Sequence, residues 1–142
     1  MRCLDASFLF NVITARLHPE HASTWERWLV DGEPMIAPRL MHYEMVNILH
    51  RRRQRGKLDE PFVQRSMRFV VDLPIRLVDD ALPFDALALA AEFGLPASYD
   101  AHYLAVAARH GADLWTSDGR LRDIAQSRLP WVHFAPELPP EG

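Results

Sequence analysis

Four carboxylates stand in surroundings that suggest chemistry: Asp5, Glu44, Asp100 and Asp118. Asp5 and Asp118 each follow a short run that reads as a strand, Arg2 to Leu4 and Asp113-Leu114-Trp115-Thr116. In an open parallel sheet, ligands bind beyond the carboxyl ends of strands, where the strand order reverses. If the two strands are neighbours, the two acids meet there. Asp100 falls in the first turn of a helix, where backbone N–H groups and the helix dipole favour an anion. Glu44 lies mid-helix in Leu40-Met41-His42-Tyr43-Glu44-Met45-Val46-Asn47-Ile48-Leu49, with largely apolar flanks. A buried carboxylate without a partner is expensive, so Glu44 must face solvent, find a cation or bind a metal. Asn47 is one turn on and is expected to share its face. Each acid also has a plainer reading: Asp5 as a turn residue, Asp100 and Asp118 as helix-start carboxylates, Glu44 on a solvated face.

Gathered in one place, four acids would repel and raise one another's pKa. A divalent cation reverses that penalty. Magnesium prefers oxygen ligands and keeps some of its water, which suits a carboxylate cluster. Such an ion can activate water and stabilise charge on a phosphoryl oxygen, so the reaction such a cluster favours is phosphodiester hydrolysis.

The elements that must position these acids alternate along the chain. After the first strand, Asp5-Ala6-Ser7 reads as a turn into a short helix at Phe8 to Ile13. Glu20 to Asp31 carries Trp25, Trp28 and Leu29 at helical spacing and stops at Gly32. Pro34 to Pro38 is a second strand and Arg39 to Gln54 a helix closed by Gly56. Asp59 caps a helix with Pro61 in its first turn. Ile75 to Val78 is a third strand, and Asp79 or Asp80 caps a helix running to Phe93. Ser98 caps a helix from Tyr99 to His110, Asp118 one that runs to Gln126, and Trp131 to His133 reads as a fifth strand. The pattern implies an α/β domain, a parallel sheet of about five strands with helices on both faces. The expected domain spans residues 1–135, with a loose, proline-rich tail over 136–142.

The chain has 142 residues, 49% of them hydrophobic and 25% charged, ordinary values for one globular domain. A formal net charge of −3 gives no global field for nucleic acid. The cluster His50-Arg51-Arg52-Arg53-Gln54-Arg55-Gly56-Lys57 supplies a local one that could hold RNA phosphates, or simply solvate a helix end. The single cysteine, Cys3, rules out an internal disulfide and argues against a Cys-based zinc site. No run of apolar residues approaches membrane-spanning length, and the acid at position 5 comes too early for a signal peptide, so a cytoplasmic protein with no membrane partner is expected. Trp25 and Trp28 could stack on bases or bind a partner helix, but core or dimer packing is the expectation. His42 and His102, beside acids but without zinc spacing, read as bystanders.

Leu4-Asp5-Ala6-Ser7, the helix around Glu44, Tyr99-Asp100-Ala101-His102-Tyr103-Leu104-Ala105-Val106-Ala107 and Leu114-Trp115-Thr116-Ser117-Asp118-Gly119-Arg120-Leu121 resemble the four motif blocks of PIN domains, and more narrowly of VapC-type toxins. The blocks occur in the family's order and span nearly the whole chain. The resemblance implies a helix-flanked parallel sheet and an Mg²⁺- or Mn²⁺-dependent endoribonuclease that is the toxin of a toxin–antitoxin pair. It implies Asp5, Glu44, Asp100 and Asp118 as the acidic site, with Asp5, Asp100 and Asp118 on the metal. Thr116 matches a hydroxyl position near them, Ser7 a supporting group and Asn11 an often polar position. It also implies an RNA substrate, a VapB-like antitoxin and a homodimer. Arg51, Arg52, Arg53 and Arg120 are candidate RNA contacts. Some relatives carry a further acid two residues after the last one. Here that place is Arg120, with Asp123 three residues further, so one firmly held ion is expected rather than two.

Two other function classes compete. A PIN fold could bind RNA or protein without cutting, although no block has lost its carboxylate. A phosphatase with an aspartyl nucleophile would need a second aspartate that Asp5-Ala6-Ser7 lacks.

Overall fold

The structure is a computed structural model, and it describes residues 1–14, 19–79 and 82–135, with side chains described for all of these but 19–21. The chain runs β1 (Arg2–Leu4), α1 (Ala6–Ile13), α2 (Pro19–Asp31), β2 (Met35–Pro38), α3 (Leu40–Gln54), α4 (Glu60–Asp72), β3 (Ile75–Val78), α5 (Pro83–Glu92), α6 (Tyr99–His110), β4 (Asp113–Thr116), α7 (Gly119–Ala125) and β5 (Val132–Phe134). The strands form one sheet in the order β3-β2-β1-β4-β5. Every pairing is parallel, and helices cover both faces, the α/β architecture expected from the alternation of elements.

β1 is the central strand because its residues suit burial on both sides. Cys3 lies opposite Ile36 of β2 and Leu114 of β4, and all three are essentially inaccessible. Such two-sided burial is why parallel strands read as continuous apolar runs. From β1 the chain proceeds outward to β2 and β3, then returns across β1 to place β4 on its other side. The reversal of strand order therefore falls between β1 and β4, the arrangement on which the convergence of Asp5 and Asp118 depended.

α6 packs across β1, β2 and β4. It can do so closely because four of its buried positions, Ala101, Ala105, Ala107 and the β-branched Val106, are small or compact beside the larger Tyr103 and Leu104. It ends at Gly111 in the left-handed conformation, φ +61°. The N–H of Ala112 then donates to the carbonyl of Ala107 at 2.9 Å, a turn that closes the helix and needs a residue without Cβ. On another part of the core, Phe8, Trp28, Trp115 and His133 form a chain of ring contacts, stacked at both ends and edge-on between the two indoles. Successive centroids lie 5.2, 4.9 and 4.5 Å apart, and the Arg2 guanidinium covers Trp28 at 4.5 Å. Trp25 and Trp28 are thus core residues, each 5% exposed.

Four local expectations are corrected. α1 begins at Ala6 rather than Phe8, because Asp5 caps it and accepts a hydrogen bond from the Phe8 N–H. α5 is not capped by Asp79, which instead pairs with Arg39. Its N-cap is Leu82, without a side-chain hydrogen bond, and Pro83 opens the helix; Asp80 lies outside the described residues. Ser98 occupies the N-cap position of α6 but has helical torsions and makes no capping bond. β5 runs one residue later than expected, from Val132 to Phe134. The expected loose tail, 136–142, also lies outside the described residues.

Candidate functional site

The loops leaving β1 and β4 are stitched together by side-chain hydroxyls. The Asp5 N–H donates to the Trp115 carbonyl at 3.2 Å, continuing the strand pairing one residue past β1. Asp5 Oδ1 accepts from the Phe8 N–H at 2.9 Å and from the Ser7 hydroxyl at 2.7 Å. The same Ser7 oxygen accepts from the Ser117 N–H at 2.9 Å. Thr116 Oγ1, 3.4 Å from Ser7 Oγ, accepts from the Asp118 N–H at 3.0 Å. Asp118 in turn caps α7, accepting from the Arg120 N–H at 2.9 Å. Ser7 therefore joins Asp5 to the loop that carries Asp118, and Thr116 holds that loop through the Asp118 N–H.

The other two acids come from helices. Asp100 is in the first turn of α6, and Glu44 is one turn into α3. All four carboxylates line one cavity of about 100 Å³, together with Ala6, Ser7, Ile48 and Tyr103. Asp5 is the deepest of them, 3% exposed.

The ionisation of Asp5, Asp100 and Glu44 registers burial first and neighbouring groups second. Burial pushes Asp5 up to about 7; the nearby Asp100 charge adds to the rise, and hydrogen bonds from Thr116, the Phe8 N–H and Ser7 oppose it. Asp100 is pushed up to about 6, by burial first and then by Asp118 and Glu44, with Arg120 pulling the other way. Burial raises Glu44 too, against the influence of Tyr103 and His102. Glu44 Oε1 and the Tyr103 hydroxyl are both buried without a well-formed hydrogen bond. Tyr103 is held well above the usual phenol range by its burial and by Glu44. A set of oxygen donors that repel one another in this way, with one buried carboxylate oxygen unpaired, fits a hard divalent cation in chemical type. Among the described residues, no three Asp, Glu, His or Cys side chains converge closely enough as they stand to hold one ion.

Asn47 and Asn11 are not part of the cavity lining. Asn47 is exposed and its place beside Glu44 is taken by Ile48. A helix turns about 100° per residue, so i+3 and i+4 fall on opposite sides of residue i, and here the cavity lies on the i+4 side. Asn11 is half-buried, further along α1. Of the arginines, Arg120 stands at the rim, 80% exposed and 4.0 Å from Asp118. Arg51 and Arg52 are exposed near the end of α3, with Arg52 resting on the Phe10 ring at 4.9 Å. Arg53 is turned to Glu60, at 3.0 Å, and to His50. Tyr103 and Ile48 were not singled out from sequence, yet helical spacing could have found both: they stand at i+3 from Asp100 and i+4 from Glu44.

A sequence model for the PIN domain matches residues 2–127. No curated protein sequence is similar enough to match. Among solved structures, a protein of Pyrobaculum aerophilum superposes with a TM-score of 0.68 at 25% identity, over 87% of this chain and 83% of that one. A toxin–antitoxin complex from Klebsiella pneumoniae contains a chain that superposes with a TM-score of 0.66 at 20% identity, over 97% of this chain and 100% of that one. PIN domains are in general metal-dependent nucleases. A family match over most of the chain, on a helix-flanked parallel sheet whose switch point gathers four acids, leaves one assignment: the chain belongs to the PIN domain family.

Proposed function

We propose that this protein is a divalent-metal-dependent endoribonuclease, the VapC-type toxin of a toxin–antitoxin pair. The observation that supports it best is the gathering of Asp5, Glu44, Asp100 and Asp118, from four separate segments, around one cavity at the strand-order reversal. Asp5, Asp100 and Asp118 would hold Mg²⁺ or Mn²⁺, directly or through water. The bound ion would supply a more acidic water and neutralise charge developing on the phosphoryl group. Glu44, which lines the same cavity, would hold the attacking water or complete the shell of the ion. Ser7 and Thr116 hold Asp5 in place through their hydroxyls. Arg120 at the rim, with Arg51 and Arg52 on α3, offers cations to the RNA phosphates. Arg53 joins them only by giving up an exposed ion pair with Glu60, a pairing of small energy.

The partners follow from the same reading: a VapB-like antitoxin that occludes the acids, in keeping with the toxin–antitoxin complex that shares the fold, and a second copy of the chain. Among the described residues no helix is long and apolar enough to cross a membrane, and we propose that the protein works in the cytoplasm. The test compares wild type with Asp5→Asn and Asp100→Asn on a structured RNA with Mg²⁺. Cleavage by wild type and loss of at least a hundredfold in both variants is expected. Equal cleavage by all three overturns the assignment.

A further inference from the structure

A second hollow, of about 260 Å³, opens on the same strand-end edge as the acids. Pro38 and Val78, at the carboxyl ends of β2 and β3, line it together with Tyr99 and His102 of α6. Arg39 and Asp79 also line it, joined by two contacts of 2.6 and 3.1 Å. The first turn of α6 thus serves two cavities. Asp100 and Tyr103 line the acidic one, while Tyr99 and His102 line the hollow. One backbone step separates the two.

Three properties narrow what could fill it. Pockets for drug-sized molecules run to roughly 300–1,000 Å³, so this one suits a smaller body such as a single planar ring system. Tyr99 is 58% exposed, a large aromatic ring held at the surface beside a cavity whose walls at Leu40, Leu82 and Val106 are apolar and suit the faces of a planar ring. The Arg39–Asp79 pair sets a guanidinium and a carboxylate side by side, offering donors and acceptors together, the complement of a base's hydrogen-bonding edge. Proteins read single-stranded RNA by stacking splayed bases on aromatic rings and pairing their edges with polar groups, and a base still paired in a helix cannot enter such a hollow. We infer that the hollow formed by Tyr99, His102, Arg39 and Asp79 is a subsite for one unpaired base of the RNA, next to the phosphate that lies at the acids. The inference rests on the ribonuclease reading for the identity of its ligand.

The test separates the two readings. The four nucleoside 5′-monophosphates, and ribose 5-phosphate as a base-free control, are titrated into the full chain in EDTA while NMR follows the Tyr99 and His102 side-chain signals. Saturable shifts with at least one nucleotide and none with ribose 5-phosphate are expected. They should vanish in Tyr99→Ala and persist in Tyr99→Phe, which keeps the ring. Binding of a short single-stranded RNA should weaken on the order of tenfold in Tyr99→Ala, the loss of one stacked base. Equal shifts with ribose 5-phosphate, or none with any nucleotide, overturn the subsite. So does unchanged RNA affinity in Tyr99→Ala accompanied by lost binding of a protein partner, which assigns the hollow to protein. A chain that cuts RNA without base-dependent shifts refutes the subsite alone. Base-dependent shifts in a chain that cuts no RNA support the subsite and refute the cleavage reading.

Discussion

Replacing Asp5 by asparagine should stabilise the metal-free protein above neutral pH, although it removes the deepest acid of the site. Asp5 has its carboxyl raised from 3.8 to about 7 in the folded chain, while the unfolded chain titrates near the ordinary value. Between those two pH values the folded state binds the extra proton, so the contribution of Asp5 to stability is greatest below pH 4 and is lost as the pH rises to about 7. The difference corresponds to about 4 kcal/mol once Asp5 is ionised. An asparagine oxygen can still accept from the Phe8 N–H and the Ser7 hydroxyl, and no charge remains to be buried. Urea denaturation in EDTA from pH 4 to 8.5 should show a falling midpoint for wild type and a flatter one for Asp5→Asn. At pH 8 the variant should be the more stable by up to about 4 kcal/mol. Adding Mg²⁺ at about 100 times its dissociation constant should return about 2.7 kcal/mol to wild type and little to the variant. Identical pH slopes for the two proteins, or a variant less stable at pH 8, would refute the reasoning that the Asp5 carboxylate is held ionised against the cost of its burial.

Ser7→Ala removes the hydroxyl that joins Asp5 to the Ser117 N–H; it should cost about 1–3 kcal/mol in urea melts and raise the Asp5 pKa further in a carboxyl NMR titration. Arg120→Ala should move Asp100 upward from about 6, since Arg120 holds it down, and the difference should shrink in 1 M salt because Arg120 is exposed. Leu104→Ala, at a fully buried position of α6, should cost about 2–5 kcal/mol by chemical denaturation. Gly111→Ala places a Cβ at φ +61° and should cost about 1 kcal/mol in thermal melts.

The sheet and the acids were legible from sequence for a physical reason. Strand-helix alternation with apolar runs admits few arrangements, and acids just past strands fall at one edge of a parallel sheet. What stayed hidden was set by side-chain partners far apart in the chain. Nothing around Asp79 announces that Arg39, forty residues earlier, will draw it from a capping role. Nor does Ser7, two residues past Asp5, reveal that it will bond the loop around Ser117. Asn47 was expected on the face of Glu44 because both i+3 and i+4 neighbours are possible, and only the packing of α3 against α1 and β2 decides that Ile48 is the one beside the cavity. Tyr103 went unnoticed for the opposite reason: its apolar helix neighbours read as core, and its hydroxyl meets Glu44 only once α6 and α3 are in place.

The chain of rings behind the strands gives the molecule an optical property of its own. Trp28 and Trp115 lie 4.9 Å apart with planes inclined by 63°, close enough for their excited states to couple. Trp115 also stacks on His133 at 4.5 Å, an imidazole that quenches indole emission when protonated. The next residue after Trp115 is Thr116, which binds the Asp118 N–H. Trp115 is thus three residues from Asp118, and its carbonyl accepts from the Asp5 N–H, so an unlabelled protein carries a chromophore that can report events at the cavity without a probe attached to it.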